Sequence, residues 1–305
     1  MPHDAAVSSS ANRPELRAML TLLKPVTWFP PMWAFACGAV SSGASISSAP
    51  WLLAIGVLLA GPLVCGASQI VNDWYDRDVD AINEPHRPIP SGRVPGQWGY
   101  YYAIAWSILC LAVGASLGTV VLAATVFGLA LAWAYSAPPL RLKLNGWWGN
   151  LAVGISYEGL AWVTGAAVLL GGNMPENHIL ALALLYSLGA HGIMTLNDFK
   201  AIQGDVKMGV RTLPVQLGPE LAAKVACLVM AGPQVIVIAL LFDWGLPAYA
   251  GMIAASLALQ VTAMRRLLTD PRALAPWYNG TGVMLYVAGM MASAWGVRGL
   301  SELGF

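Results

Sequence analysis

Charge is what this sequence has least of. Lys, Arg, Asp and Glu together make up 10% of its 305 residues, against about 25% in an ordinary soluble domain. That scarcity excludes a soluble globule. The near balance of 16 basic and 15 acidic side chains also excludes the basic surface that nucleic acid would need, so nucleic acid is not an expected partner. Cysteine is scarce too: Cys37, Cys65, Cys110 and Cys227 stand singly inside apolar runs. Without the paired spacing of a zinc site or a disulfide framework, they read as reduced packing residues. The first 25 residues carry Arg13, Arg17 and Lys24 but no short apolar core ending in a small-residue cleavage site, so no cleavable signal peptide is expected.

What is abundant points to a membrane. Hydrophobic residues make up 57% of the chain and mean hydropathy is +0.63. The counts Gly 32, Pro 20 and Trp 13 fit spanning helices, in which Gly and Pro are commoner and Trp gathers at the interfaces. Apolar stretches of about 18 to 23 residues, enough to cross a bilayer as helices, fall near 26–46, 50–72, 98–117, 119–136, 148–170, 179–197, 221–242, 246–264 and 277–297. The expectation is an all-α membrane protein of nine spans. It has a cytoplasmic tail over 1–25, with 1–12 loose, one domain over 26–299 and a short tail over 300–305. The Pro30-Pro31 pair is expected to break or bend the first span.

The few charges test this division, because cytoplasmic loops collect Lys and Arg. Of the 16 Lys and Arg, only Arg298 falls outside the N-terminal segment, the loops 73–97, 137–147 and 265–276, and the 198–220 loop with the helix start after it. With an odd number of spans, the N-terminus lies in the cytoplasm and the C-terminus outside. The long loops share the cytoplasmic face, so the chemistry is expected there.

Two acidic segments stand at that face. The second span empties into Asn72-Asp73-Trp74-Tyr75-Asp76-Arg77-Asp78-Val79-Asp80. A continuing helix puts Asn72, Asp76 and Asp80 on one row, with Asp73 beside them. Crowded carboxylates repel one another unless a cation sits among them. Oxygen ligands without His or Cys select a hard ion, Mg²⁺ or Ca²⁺, and Mg²⁺ held by few carboxylates usually shares its shell with substrate phosphates. The sixth span ends in Asn197-Asp198-Phe199-Lys200-Ala201-Ile202-Gln203-Gly204-Asp205, which repeats the spacing with Ala201 in place of one acid. Two such ends facing each other would hold metal ions bridging a diphosphate. Alone, each segment also reads as a solvated helix end.

Cations follow each segment: Arg87 in a proline-rich loop, Arg141 and Lys143 after Tyr135-Ser136-Ala137-Pro138-Pro139, then Lys200, Lys207 and Arg211. Arg and Lys are the usual phosphate partners, although topology alone also places cations in these loops. Two ionisable residues lie inside spans, Glu158 and His191, and such residues mark functional sites by default. His191 stands about 9 Å deeper than Asn197. Its imidazole is a possible ligand for the metal of a bound macrocycle, with Glu158 bonding a ring substituent. A plain structural pairing of the two residues across helices is the other reading.

These segments, with Lys24-Pro25-Val26-Thr27-Trp28-Phe29-Pro30-Pro31-Met32-Trp33, Tyr157-Glu158-Gly159-Leu160 and Trp277-Tyr278-Asn279-Gly280-Thr281-Gly282-Val283, resemble the UbiA superfamily of intramembrane prenyltransferases, and within it the chlorophyll and bacteriochlorophyll synthase branch. The resemblance implies nine helices around a central cavity and two acidic motifs binding Mg²⁺-diphosphate. It also implies transfer of a geranylgeranyl or phytyl group to the C17 propionate of bacteriochlorophyllide a. Carried over, the metal-binding and catalytic set is Asn72, Asp76, Asp80, Asp198 and Asp205, with Asp73 as a further metal ligand. Asp198 stands in for the acid that Ala201 lacks, and Gln203 is a further contributor. The diphosphate set is Arg87, Tyr135, Arg141, Lys143, Lys200, Lys207 and Arg211, and the pigment set is Glu158 and His191. The implied setting is a bacterial inner, photosynthetic membrane. Its lipid bilayer and proteins of pigment synthesis or photosystem assembly would be partners. A cation transporter would also explain repeated acids at span ends, but not the proline-fixed cations or the gathering at one mouth. A related prenyltransferase with a quinone-precursor or haem acceptor stays open.

Overall fold

The computed structural model describes residues 13–45, 47 and 49–300, and the terminal stretches 1–12 and 301–305 of the expected tails lie outside them. The described chain is helical, with a single isolated bridge between Asn145 and Arg211. In chain order the helices are α1 (Leu16–Leu22), α2 (Phe29–Ser41), α3 (Pro50–Asn83), α4 (Trp98–Ser116), α5 (Thr119–Ser136), α6 (Gly146–Leu169) and α7 (Asn177–Asn197). They continue with α8 (Ile202–Met208), α9 (Leu213–Leu217), α10 (Pro219–Asp243), α11 (Pro247–Leu267), α12 (Pro271–Asn279) and α13 (Gly282–Val297).

Among the described residues eight helical stretches are long and apolar enough to cross a membrane. The first expected span is the shortfall, since α2 has only 13 residues. The expected stretch is interrupted just before Pro30 and Pro31, where the 3₁₀ turn Pro25–Thr27 gives way to α2. The two prolines occupy the first turn of α2, where the missing N–H costs nothing because first-turn donors have no intrahelical partner. The last expected span, 277–297, falls inside the apolar stretch Pro271–Val297, with a turn at Gly280 and Thr281 between α12 and α13. Within the expected tail, the residues from 13 onward pack on the helices. α1 buries Ala18 and Leu22 against Ile70, Val71, Val94 and Tyr102, and the Glu15 N–H donates to the Arg93 carbonyl at 2.9 Å.

Packing without a hydrophobic drive between helices relies on small residues and buried polar bonds. α2 and α6 approach so closely that a Cβ on Gly38 would stand 1.9 Å from the Trp162 carbonyl oxygen, and one on Gly165 2.0 Å from that of Phe35. α10 and α11 are pinned by reciprocal bonds between Gln234 and Gln260 at 3.1 and 2.9 Å. α13 is tied to α7 by Tyr286 donating to the Tyr186 carbonyl at 2.7 Å. Helices α10 and α13 thus buttress α7 from behind, and α11 packs on those two.

Two helices carry π-helical segments, Leu59–Cys65 with Pro62 inside it in α3 and Ile155–Leu160 in α6. Pro62 has no N–H to give the ladder. A π segment inserts a residue and re-aims the side chains, and such segments recur at functional sites. Both face the same internal space.

Candidate active site

That space is a cavity of about 390 Å³ lined by α2, α3, α5, α6, α7 and the turn before α2. Its deeper wall includes Pro31, Ala60, Val64, Gly128, Leu131 and Val153, and its mouth carries Asn72, Tyr135 and Asn197. The cavity is central as expected, but only the helices up to α7 line it.

The first acidic segment lies on unbroken helix, since α3 runs to Asn83. Asn72, Asp76 and Asp80 therefore share a row, and each inward carboxylate meets cations. Lys24 Nζ lies 2.5 Å from Asp73 Oδ1. Arg87 Nη1 lies 2.9 Å from Asp80 Oδ2 and 3.6 Å from Asp73 Oδ1, while its Nε is 2.6 Å from Glu84. Lys143 Nζ lies 2.5 Å from Asp76 Oδ1, with Arg141 Nη2 at 3.7 Å. The bond from Arg87 holds the Glu84 carboxyl below the usual carboxylate range. Burial pulls the Lys143 ammonium below the ordinary lysine range, and Asp76 opposes that. Asn72 Nδ2 donates to Ser136 Oγ at 3.4 Å, which leaves its carbonyl oxygen uncommitted.

Asp73 departs from the expected ligand set. Only 4% of its side chain is exposed, and Lys24 and Arg87 enclose it, so it anchors the N-terminal segment rather than facing the opening. Lys24 was legible in the sequence only as a topology charge. In the structure Lys24 and Arg141 are the two non-glycine residues with left-handed backbone, at φ 45 and φ 38 among the described residues. That conformation costs roughly 1–2 kcal/mol for a residue with a Cβ. Strain of this kind gathers at ligand sites, and here it falls on two cations at one mouth.

The second segment is built differently. α7 stops at Asn197, residues Asp198–Ala201 form a tighter 3₁₀ turn, and α8 follows. Asp198 accepts from Asn150 Nδ2 at 3.2 Å and Asp205 from Thr212 Oγ1 at 3.1 Å. Neither appears in an ion pair among the described residues. Asn197 Oδ1 accepts from Asn279 Nδ2 at 2.8 Å. Tyr135 lines the cavity together with Asn72 and Asn197, the first residues of the two segments. Sequence reasoning missed Asn150, Thr212 and Asn279. An Asn inside an apolar span was the available signal for Asn150; nothing in the sequence marked Thr212.

Not every expected residue converges. Lys200, Lys207, Gln203 and Arg211 are exposed. Arg211 acts through its backbone, giving its N–H to Leu144 at 2.9 Å and accepting from Gly146 at 2.8 Å. Those bonds tie the loop after α8 to the one before α6. Glu158 lines the cavity, whereas His191 is buried with its ring against Trp147, 5.7 Å between centroids. His191 is absent from the cavity lining, so the geometry does not bring it to a macrocycle held there. The expected pairing of Glu158 with His191 is not found either.

An apolar cavity under a mouth that joins cations to free carboxylates suits a lipid-tailed anion. The UbiA prenyltransferase family profile matches residues 22–292. The chain belongs to that family. It is 59% identical to the bacteriochlorophyll synthase 33 kDa chain of Cereibacter sphaeroides over 95% of this chain and 96% of that one. It is 57% identical to the bacteriochlorophyll synthase 33 kDa chain of Rhodobacter capsulatus, over 94% and 95%. A UbiA homologue from Archaeoglobus fulgidus, solved bound to GPP and Mg²⁺, shares the fold with a TM-score of 0.68 at 23% identity, over 91% of this chain and 99% of that one. The UbiA assignment makes this chain a multi-pass membrane prenyltransferase.

Proposed function

We propose that this chain esterifies bacteriochlorophyllide a, moving a geranylgeranyl or phytyl group from its diphosphate to the C17 propionate. The observation that carries the reaction class is the apolar cavity whose mouth presents Asn72, Tyr135 and Asn197 between two acidic segments. The acceptor rests on the identity with the Cereibacter chain.

The donor set at the mouth fits Mg²⁺. Its free groups are oxygens, namely the Asn72 carbonyl and the carboxylates of Asp198 and Asp205, while Asp76 and Asp80 are shared with cations. Mg²⁺ held by few protein oxygens keeps waters and takes phosphate oxygens as ligands. Arg141 Nε is buried without a partner, as expected of a donor aimed at an anion. When bound, Mg²⁺ would neutralise charge building on the departing diphosphate.

The chain's own residues supply the rest by position and electrostatics. Arg141, Lys143 and Arg87 stabilise the leaving group as the allylic C–O bond breaks and its electron pair passes to diphosphate oxygen. The propionate, ionised near neutral pH, gives an oxygen lone pair to the same carbon. No proton has to be removed, so no general base is required. The apolar wall keeps water from the allylic carbon.

The reading extends to orientation and setting. The mouth and the N-terminus face the cytoplasm of a bacterial inner, photosynthetic membrane, as the gathering of Lys and Arg supports, with proteins of pigment synthesis or photosystem assembly as partners. Reporter fusions in the 73–97, 137–147 and 198–220 loops test this, and an external signal from them overturns it. Purified protein given Mg²⁺, geranylgeranyl diphosphate and bacteriochlorophyllide a, a quinone precursor or haem tests the reaction. Esterified pigment is expected from the first acceptor. Product from another acceptor alone moves the assignment within the family.

A further inference from the structure

Glu158 is the one acidic side chain in the cavity lining, on the π-helical segment of α6. No hydrogen bond or ion pair is made by its carboxyl among the described residues. The hydroxyl oxygen of the adjacent Tyr157 accepts from Gln69 Nε2 at 3.1 Å and from Cys65 Sγ at 3.2 Å. The Tyr286 hydroxyl is committed to the Tyr186 carbonyl. An ionised carboxylate without a counter-charge is expensive at membrane depth, so the group is a neutral acid with one O–H to donate. A prenyl chain offers no acceptor for that proton. An unsatisfied donor in an apolar pocket is a cost that a ligand with a carbonyl removes.

Depth decides which ligand. Asn150 is level with Asp198, to which it donates. Glu158 lies eight residues further along α6, about 12 Å deeper at 1.5 Å per residue. That span is comparable to a tetrapyrrole ring. A macrocycle with its propionate at the reacting carbon reaches Glu158 with its opposite edge. We propose that Glu158 recognises the acceptor by donating a hydrogen bond to a carbonyl substituent on the ring edge far from the propionate, and so selects rings that carry a carbonyl there. This rests on the proposed transfer to a chlorophyllide and names the residue that chooses among acceptors. The π segment fits this reading, because such segments recur at functional sites and this one puts Ser156, Tyr157 and Glu158 into the cavity lining.

The test compares wild type with Glu158→Leu and Glu158→Gln, using bacteriochlorophyllide a and an analogue in which the carbonyl on the far ring edge is replaced by vinyl, which cannot accept a hydrogen bond. Glu158→Leu is expected to raise KM for the carbonyl acceptor about tenfold, the scale of one buried hydrogen bond. KM for geranylgeranyl diphosphate should not change, and the preference over the analogue should disappear. Glu158→Gln keeps a donor and is expected to retain the preference. A carbonyl stretch lowered in the wild-type complex should return to its free position in Glu158→Leu alone. No product from wild type defeats the proposed function itself. Active wild type with equal acceptor KM in all three proteins overturns the role of Glu158. So does a Leu variant whose only changes are thermal stability or diphosphate KM.

Discussion

Segments 72–80 and 197–205 repeat one spacing, yet the structure gives them different backbones and different partners. The first is a straight continuation of α3 to Asn83, and Asp73, Asp76 and Asp80 each lie within 4 Å of a cation. The second breaks into a 3₁₀ turn after Asn197, and Asp198 and Asp205 bond only neutral groups. The missing acid at Ala201 falls inside that turn. A repeat in sequence thus became a division of labour. One end arrives already neutralised, and its cations can turn to an incoming anion. The other has, among the described residues, no cation within ion-pair distance of its carboxylates, a place that an added cation would fill.

The largest effects should come from removing charge at the second end. Asp198→Asn and Asp205→Asn are expected to lower turnover about 10²-fold or more, the scale for losing a major electrostatic stabiliser. The Mg²⁺ needed for half activity should rise. Thermal stability should hold, because Asn150 and Thr212 can bond an amide as they bond the acid. Asp76→Asn and Asp80→Asn should cost comparable turnover, restored in part by extra Mg²⁺, but should also destabilise, because Lys143 and Arg87 lose their partners. Asp73→Asn should act on stability and leave the Mg²⁺ dependence alone. Near-normal turnover at low Mg²⁺ in all four activity variants would erase the contrast between the ends.

A smaller effect separates the cations from the acids. Arg141→Ala and Lys143→Ala are expected to raise KM for the prenyl diphosphate about tenfold, as loss of one charge-assisted bond would, with acceptor KM unchanged. Lys200→Ala and Lys207→Ala, whose side chains are exposed, should change either KM by less than about twofold, since exposed charges contribute little. If Lys200 and Lys143 behave alike, the mouth extends to α8 and the contrast between paired and solvated cations fails.

Much of this was legible in the sequence because period and charge carry it. The Gly118 turn between α4 and α5, the helical row of Asn72, Asp76 and Asp80, and the gathering of Lys and Arg at one face follow from hydropathy and spacing alone. What was not legible depends on backbone breaks and long-range contacts. Nothing in the spacing of residues 197–205 announces the 3₁₀ turn, because an acidic segment can end a helix or continue it. The proline pair announced an interruption, but not that it would take the form of a 3₁₀ turn followed by a fresh helix start. Lys24 meets Asp73 across 49 residues, and His191 turns toward Trp147 rather than the cavity, choices set by tertiary packing.

The smallest expected effect concerns how the two asparagines of the repeat are turned. Asn72 spends its amide N–H on Ser136 and leaves its carbonyl free. Asn197 spends its carbonyl on Asn279 and leaves its N–H₂ with only Met194 Sδ at 3.7 Å. The first therefore suits a metal ion, and the second suits an anionic oxygen. Asn279 is the residue that sets the second orientation, and its own Oδ1 is buried without a partner. Asn279→Ala removes one hydrogen bond, about 0.5–1.5 kcal/mol, so KM for the prenyl diphosphate should rise a few-fold with kcat nearly kept. Asn279→Asp removes the donor and adds an acceptor, which favours the reversed amide at Asn197. The Asp variant should therefore be weaker in diphosphate binding than the Ala variant, although it is closer in shape to the wild type. Equal KM values in the two variants would mean that the Asn197 orientation plays no part in binding.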